Sequence, residues 1–190
     1  MHNAALETTP PRLKSPDALV NRELADTYRA WLKVANGRFA PTRREVSPKN
    51  LKPVLATAFL LDVIDGGADF RLSLGGDKIL RFLMNRLTPG MRLSEVAGSL
   101  FHERAMRMMR YCVDTMLPVA AGPSQAALEG REFFSTEVLV LPLSDDSETV
   151  TSLLGAIHLA PLKPVEEPSQ VAGMPTAFPQ HTAGADKRRA

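Results

Sequence analysis

The chain of 190 residues is 44% hydrophobic and carries a formal net charge of +2, values that suit one domain with a real core. The nearly balanced charge indicates no general affinity for nucleic acids. Cys112 is the only cysteine, so no intrachain disulfide can form, and a reducing cytoplasm is expected. The N-terminus lacks a basic segment followed by an apolar run, and no apolar run is long enough to cross a bilayer. Neither a signal peptide nor membrane insertion is therefore expected.

The N-terminal part is predicted to be an arm followed by an amphipathic helix. Residues 1–16 contain three prolines and few apolar groups, which favours disorder. The helix is predicted to begin at Asp17, with Ser15 as its cap and Pro16 at its first position. Its apolar face either packs on its own domain or forms a homodimer, and the two interpretations are compatible. The residues that we expect at such an interface are Val20, Leu24, Tyr28, Trp31 and Ala35.

A β-hairpin follows. Residues 55–64 and 69–75 are predicted as strands because apolar and polar residues alternate in both, and a Gly-rich turn joins them. The side chains expected to share its core face are Phe59, Leu61, Val63, Phe70, Leu72 and Leu74.

Two helices are predicted in the middle of the chain. Asp77 is expected to cap a short one, and residues 101–117 have the apolar spacing of a long one. Arg104, Arg107 and Arg110 are expected on the solvated side of the long helix, balanced by neighbouring acidic residues. We therefore predict no nucleic-acid site there.

The last third of the chain is predicted to be β-structure followed by a tail. Strands are expected at 119–123, 133–143 and 150–159, and the Pro-rich segment 161–190 is expected to be disordered. The domain would then span residues 17–160. Glu137 lies in an apolar strand, and we expect it to be structural, paired with an arginine such as Arg71 across the sheet.

This order of a hairpin, a helical middle and further strands resembles a PAS domain. The amino-acid sequence of residues 24–160 resembles a PAS-like family of small stand-alone regulatory and sensory proteins from alphaproteobacteria. The resemblance includes Pro41-Thr42-Arg43 and the strand from Glu137 to Pro142. The resemblance implies an α+β fold. Its five-stranded antiparallel sheet would carry helices on one face and the N-terminal amphipathic helix near the other.

The sequence contains no motif that is typical of an enzyme. It contains no phosphate-binding Gly-rich loop, no Gly-x-Ser-x-Gly motif, and no histidine pair at metal-ligand spacing. Cys112 lies on the apolar face of the long predicted helix, where a structural thiol is expected. We therefore predict no catalytic residue, no metal and no enzyme.

The resemblance also implies a possible pocket between the sheet and the long helix. Since its lining is nearly all apolar, a filled core without a cofactor is preferred, and an unknown small apolar ligand is the alternative. His102, at the edge of the apolar helix face, either contacts a ligand or haem iron or is a solvent-edge histidine near a cap. The predicted lining is Phe59, Leu61, Phe70, Leu72, Leu74, Ile79, Phe82, Leu83, His102, Met106, Met109, Val113, Val138, Val140, Leu153 and Ile157.

Two functions remain open. The first is a non-enzymatic cytoplasmic regulatory module that self-associates and binds a signalling protein, because the sequence carries no recognisable output domain. The second is a small-molecule receptor, for haem or a metabolite, whose ligand moves the long helix.

Overall fold

The computed structural model describes residues 12–46, 51–96 and 99–162, and within them one antiparallel sheet has helices on both faces. The strands are β1 (Leu13–Lys14), β2 (Ala58–Ile64), β3 (Asp69–Gly75), β4 (Val119–Gln125), β5 (Phe134–Leu143) and β6 (Ser152–Pro161). The α-helices are α1 (Arg22–Ala35), α2 (Asp77–Phe82) and α3 (Leu100–Thr115), and 3₁₀ turns lie at Pro16–Ala18, Asp65–Gly67 and Leu93–Val96. None of the helices in this part of the chain is long and apolar enough to cross a membrane.

The sheet has the strand order β1-β4-β5-β6-β2-β3, one strand more than the five expected. The additional strand is β1, in which Leu13 and Lys14 pair with Ala121 and Ala120 of β4. These two residues belong to the segment predicted to be a disordered arm. Residues 1–11 and 163–190, the rest of the predicted arm and nearly all of the predicted tail, lie outside the described residues.

The N-terminal helix begins five residues later than predicted, at Arg22 instead of Asp17. Ser15 and Pro16 do act as cap and first position, but of the separate 3₁₀ turn. Asn21 caps α1 itself, because its side-chain oxygen accepts the backbone N–H of Leu24 at 3.0 Å. A second cap thus starts a second helical segment.

Helix α1 covers the outer face of the sheet. Leu24, Trp31 and Ala35 are buried in a cluster with side chains of β5 and β6, and the Trp31 indole Nε1–H donates to the carbonyl of Pro142 at 3.1 Å. These three residues, expected at an interface, therefore contact the chain's own sheet. Val20 is 75% exposed and Tyr28 is half-buried. Self-association stays a prediction that these contacts do not test.

Replacing Trp31 by alanine should destabilise the fold by about 3–5 kcal/mol, because the change leaves a cavity between α1 and the sheet. Urea unfolding followed by circular dichroism measures the loss. Val20→Ala is the matched control on the same segment, and it should change the free energy of unfolding by less than about 0.5 kcal/mol. Equal losses for the two variants would contradict this packing.

The inner face of the sheet carries the larger core, under α2 and α3. As predicted, Phe59, Leu61 and Val63 of β2 all face it. Leu74 of β3 does not face this core. Leu60 pairs with Leu74, and the next residue, Leu61, pairs with Leu72, so Ser73 is an extra residue in β3. Such a bulge reverses the alternation of the strand beyond it. Leu74 therefore shares the side of Leu60 and is 51% exposed, and its predicted place in a pocket is wrong.

The free edge of β3 is covered by the loop that follows α2. The N–H of Leu72 donates to the carbonyl of Met91 at 2.9 Å, and the N–H of Gly90 donates to the carbonyl of Leu72 at 2.7 Å. The loop thus satisfies backbone groups that an edge strand would otherwise leave open.

Glu137 is buried on the outer face, but its partner is not Arg71. Its carboxylate accepts hydrogen bonds from the Lys14 ammonium at 2.8 Å and from the backbone N–H groups of Val20 at 2.9 Å and Asn21 at 2.7 Å. Arg71 lies on β3, which β2 and β6 separate from β5, a distance of about 14 Å at ordinary strand spacing. Glu137 therefore anchors both β1 and the start of α1.

These contacts determine how Glu137 titrates. Burial acts to raise its pKa, but the hydrogen bonds from Lys14, Val20 and Asn21 outweigh burial and hold the pKa below its usual range. A carboxyl with a lower pKa in the folded than in the unfolded chain stabilises the fold above the unfolded pKa, about 4.3 for Glu. That contribution is lost as the pH falls through the folded value.

We expect Glu137→Gln to lower the free energy of unfolding by about 3 kcal/mol at pH 7, since it leaves Lys14 without a counter-charge in a partly buried site. The difference from the wild type should begin to shrink as the pH falls below the unfolded pKa of about 4.3, and it should be lost as the pH falls through the lower folded pKa, where the wild-type carboxylate is itself protonated. Denaturant unfolding between pH 3 and 8 measures both. Glu148→Gln, at an exposed site, should change the free energy of unfolding by less than about 0.5 kcal/mol at pH 7, and a pH-independent difference for Glu137→Gln would refute the assignment.

Candidate functional site

A cavity of about 130 Å³ lies between the inner face of the sheet and helices α2 and α3. An engineered apolar cavity of about 150 Å³ stays dry and binds benzene, whereas pockets for drug-sized ligands span about 300–1,000 Å³. The cavity thus has room for a small apolar group.

The structure brings together part of the lining that the sequence predicts. The predicted residues that line the cavity are Phe59, Leu61, Leu72, Ile79, Phe82, Leu83, Met109, Val138 and Ile157. The predicted residues that lie elsewhere in the inner core are Phe70, Met106, Val113, Val140 and Leu153. Val113 and Phe70 pack beside Gly67, where a Cβ would lie 3.3 Å from the first side chain and 3.9 Å from the second. The cavity instead lies toward the first half of α3.

His102 does not line the cavity. Its ring Nδ1–H donates to the carbonyl of Leu93 at 2.9 Å, and its backbone N–H donates to the capping hydroxyl of Ser99 at 3.1 Å. His158 lies on the outer face, where the Asn21 amide donates to its Nδ1 at 3.0 Å. Neither histidine is therefore among the residues that line the cavity. The haem alternative stays a prediction, and the described lining residues include no histidine that would serve as its axial ligand.

Sequence reasoning missed the part of the lining that comes from β4 and the segment after it. Strand β4 runs on to Gln125, beyond the predicted end, because a bulge between Ala121 and Ser124 lets it continue. Gly122 makes this possible: its φ is 91°, and a Cβ there would meet the carbonyl oxygen of Thr136 at 2.3 Å. The missed residues are Leu13, Leu80, Leu87, Leu93, Phe101, Arg104, Ala105, Arg107, Met108, Ala121, Ser124, Gln125, Ala126, Ala127, Leu128 and Thr136.

Two arginines contribute to the lining of the cavity. Arg104 and Arg107 of α3 both line it, although both were expected on a solvated face. Arg107 and Gln125 are exposed, so the cavity reaches solvent beside them. Arg104 donates to the Gln125 carbonyl at 3.3 Å, and burial, together with the nearby charge of Arg107, lowers its pKa. Arg110, by contrast, donates to the Gly67 and Ala68 carbonyls away from the cavity.

The wall beside β4 includes the N-terminal strand. Leu13 lines the cavity, while the next residue, Lys14, contacts Glu137 on the opposite face of the sheet. Strand β1 therefore connects the cavity to the segment that Glu137 anchors.

The remaining candidate for chemistry is the thiol of Cys112, and its surroundings indicate a structural role. Cys112 is fully buried, and burial raises the pKa of its thiol, which keeps it protonated at neutral pH. Within residues 12–46, 51–96 and 99–162, no group of three or more His, Cys, Asp and Glu side chains could hold a metal ion.

Comparison with protein families decides the kind of domain. The family model described as a PAS domain matches residues 20–158, from just before α1 into β6. The chain belongs to the PAS domain family. PAS domains are in general sensory and regulatory modules, which agrees with the coarser expectation from the sequence. The match leaves the alphaproteobacterial and stand-alone character as predictions. No curated protein and no solved structure matches the chain.

A glycine beside the cavity offers a test of this PAS domain's packing. Phe59 lies across Gly155 of the neighbouring strand, and a Cβ on Gly155 would meet the ring at 2.0 Å. Gly155→Ala must displace the ring, and overpacking of this kind costs about 1–3 kcal/mol. In a Phe59→Leu background the same change should cost less, because the smaller side chain leaves room. A double-mutant cycle of denaturant unfolding measures this coupling, and additive losses would contradict the contact.

Proposed function

We propose that this PAS domain is a non-enzymatic cytoplasmic sensor that holds a small molecule in the cavity beneath α3. The observation that carries the proposal is the cavity itself, which the expectation of a filled core did not include. Its lining is almost entirely apolar, so a ligand that displaces water from it buries apolar surface. A ligand that fills it recovers contacts that the empty protein lacks, so binding is coupled to stability.

The elements around the cavity suggest how occupancy is transmitted. Arg104, Ala105 and Met108 belong to α3, and Leu13 belongs to β1, so a ligand contacts both elements. Met is an adaptable side chain and allows the wall to follow the ligand. Movement of β1 would pull on the Lys14–Glu137 contact and thereby on the start of α1.

The output in this proposal is a protein contact, with a signalling partner or a second copy of the chain. The surface that supports it is the outer side of α1 and the segment before it. Leu32 is 44% exposed, Tyr28 lies one turn before it and is half-buried, and Val20 is 75% exposed. Exposed apolar residues of this kind are frequent in protein contacts. The buried residues Leu24, Trp31 and Ala35 would act from beneath by holding α1 in place.

The experiment measures whether the cavity accepts a small neutral molecule. Benzene and short alcohols are titrated into the full chain while thermal unfolding is followed, and a compound at a hundred times its dissociation constant adds about 2.7 kcal/mol. Ala121→Leu and Ala105→Leu fill the cavity from its two walls, and they should abolish the response. Mass spectrometry of the freshly purified protein adds an independent reading, because a retained ligand appears as extra mass.

The proposal fails if no compound raises the unfolding temperature of the wild type. It also fails if the wild type and both filled variants respond equally, since the compounds would then bind elsewhere.

A further inference from the structure

A second cavity, of about 370 Å³, lies between the loop after α2 and the start of α3. Its volume falls within the range of about 300–1,000 Å³ that is usual for ligand pockets. The two cavities share one wall, and the residues that line both, among those described, are Leu83, Leu87, Phe101 and Leu128. Since all four are apolar, only hydrocarbon side chains of this wall are known to stand between the two spaces.

The side of the second cavity away from this wall is more polar and reaches solvent. Arg86 and Glu95 are both exposed, so the cavity opens beside them. The Arg86 guanidinium lies 3.7 Å from the carboxylate of Glu129, and the Ser99 hydroxyl accepts the backbone N–H of His102 at 3.1 Å. An uncharged polar group can therefore lie at this solvated opening. The described residues that line the second cavity alone are Arg86, Glu95, Val96 and Ser99.

Part of the shared wall stands on unusual backbone. Leu83 and Leu87 lie on either side of Met84 and Asn85, whose φ angles are 52° and 55°. Left-handed backbone is unfavourable for residues with a Cβ, above all bulky ones, and it persists where the surroundings hold it. Here the Arg131 guanidinium donates to the carbonyls of the last two residues of α2, at 3.1 and 3.0 Å. The wall thus rests on a strained turn, and a rearrangement of that turn releases free energy that helps to move the wall.

We propose that the two cavities together hold one unbranched aliphatic chain, whose apolar end lies beneath α3 and whose polar end lies in the second cavity, with the shared wall displaced. This inference rests on the proposed sensor function and names the ligand class for that site. A body of about six carbons fills the first cavity, of about 130 Å³, much as benzene fills an apolar cavity of about 150 Å³. A longer chain must continue past the apolar wall, and the solvated opening then receives its polar group.

The test compares ligands that differ only in chain length. 1-Butanol, 1-hexanol, 1-octanol and 1-decanol are titrated into the full chain by calorimetry. Each methylene that becomes buried should tighten binding about fourfold. We expect this gain to continue from six to ten carbons, so that 1-decanol binds on the order of a hundredfold more tightly than 1-hexanol. A ligand confined to the first cavity would stop gaining affinity near six carbons.

Variants at Val96 assign the gain to the second cavity. Val96 lines that cavity and not the first, so Val96→Phe should remove the gain beyond six carbons and leave the affinity for 1-hexanol unchanged. Val20→Phe is the matched control, because it makes the same change at an exposed site outside both cavities, and it should keep the whole gain. If Val96→Phe does not fold, the smaller change Val96→Leu should still lower the ratio of 1-decanol to 1-hexanol affinity.

The outcomes separate this inference from the function on which it rests. If the affinity of the wild type stops rising at six carbons, the chain does not enter the second cavity: the sensor proposal stands and the inference of a chain across both cavities is overturned. An equal gain in the wild type and in the Val96 variants would also overturn it, because the added methylenes would then be buried elsewhere. If none of the four alcohols binds, both proposals fall.

Discussion

The buried carboxylate of Glu137 is the interaction on which the rest of the arrangement depends. It lies on the outer face of the sheet and binds an ammonium group and two consecutive backbone N–H groups, so three parts of the chain meet at one side chain. An unpaired charge there would be costly, and paired as it is, the carboxylate fixes where the N-terminal segment crosses the sheet. The positions of β1 and of α1 both follow from this contact.

The same elements determine where the cavity lies. Helix α1 seals the outer face of the sheet, so the inner face alone remains for the α2 and α3 layer. Strand β1 closes the wall beside β4, and the bulge at Gly122 lets β4 extend far enough to bring polar groups to the mouth. The cavity is thus bounded by elements that are held in different ways: α3 by burial, and β1 by its pairing with β4 together with the contact between Lys14 and Glu137.

Local patterns in the sequence were sufficient where side-chain periodicity decides the structure. The alternation of β2 predicted the core face of Phe59, Leu61 and Val63, and the predicted order of the hairpin, the helical middle and the later strands is the order observed. Leu74 was placed wrongly because the bulge arises from the pairing of two strands, which periodicity along one strand cannot indicate. The two residues of β1 are too few to show any period.

The contacts of the charged residues were harder to predict from the sequence, because they too depend on how separate elements pair. The partner of Glu137 depends on strand order, and Lys14 lies 123 positions away in the sequence. Arg104 and Arg107 lie on the polar side of a helical wheel, but long side chains of this kind extend along apolar surface and carry their charge to its rim. Gly122-Pro123 has the composition of a strand end, whereas the chain there bends and then continues as strand.

The brevity of β1 has a consequence for how the protein behaves in concentrated solution. One border of the sheet is closed by the loop on β3, and among the described residues the other is covered by the two residues of β1. If these residues detach, β4 presents a row of open backbone donors and acceptors with alanine side chains, which is a surface that another extended chain can join. The same short strand that lines the cavity therefore also covers a sheet edge, and we expect variants that detach it to associate more readily in concentrated solution.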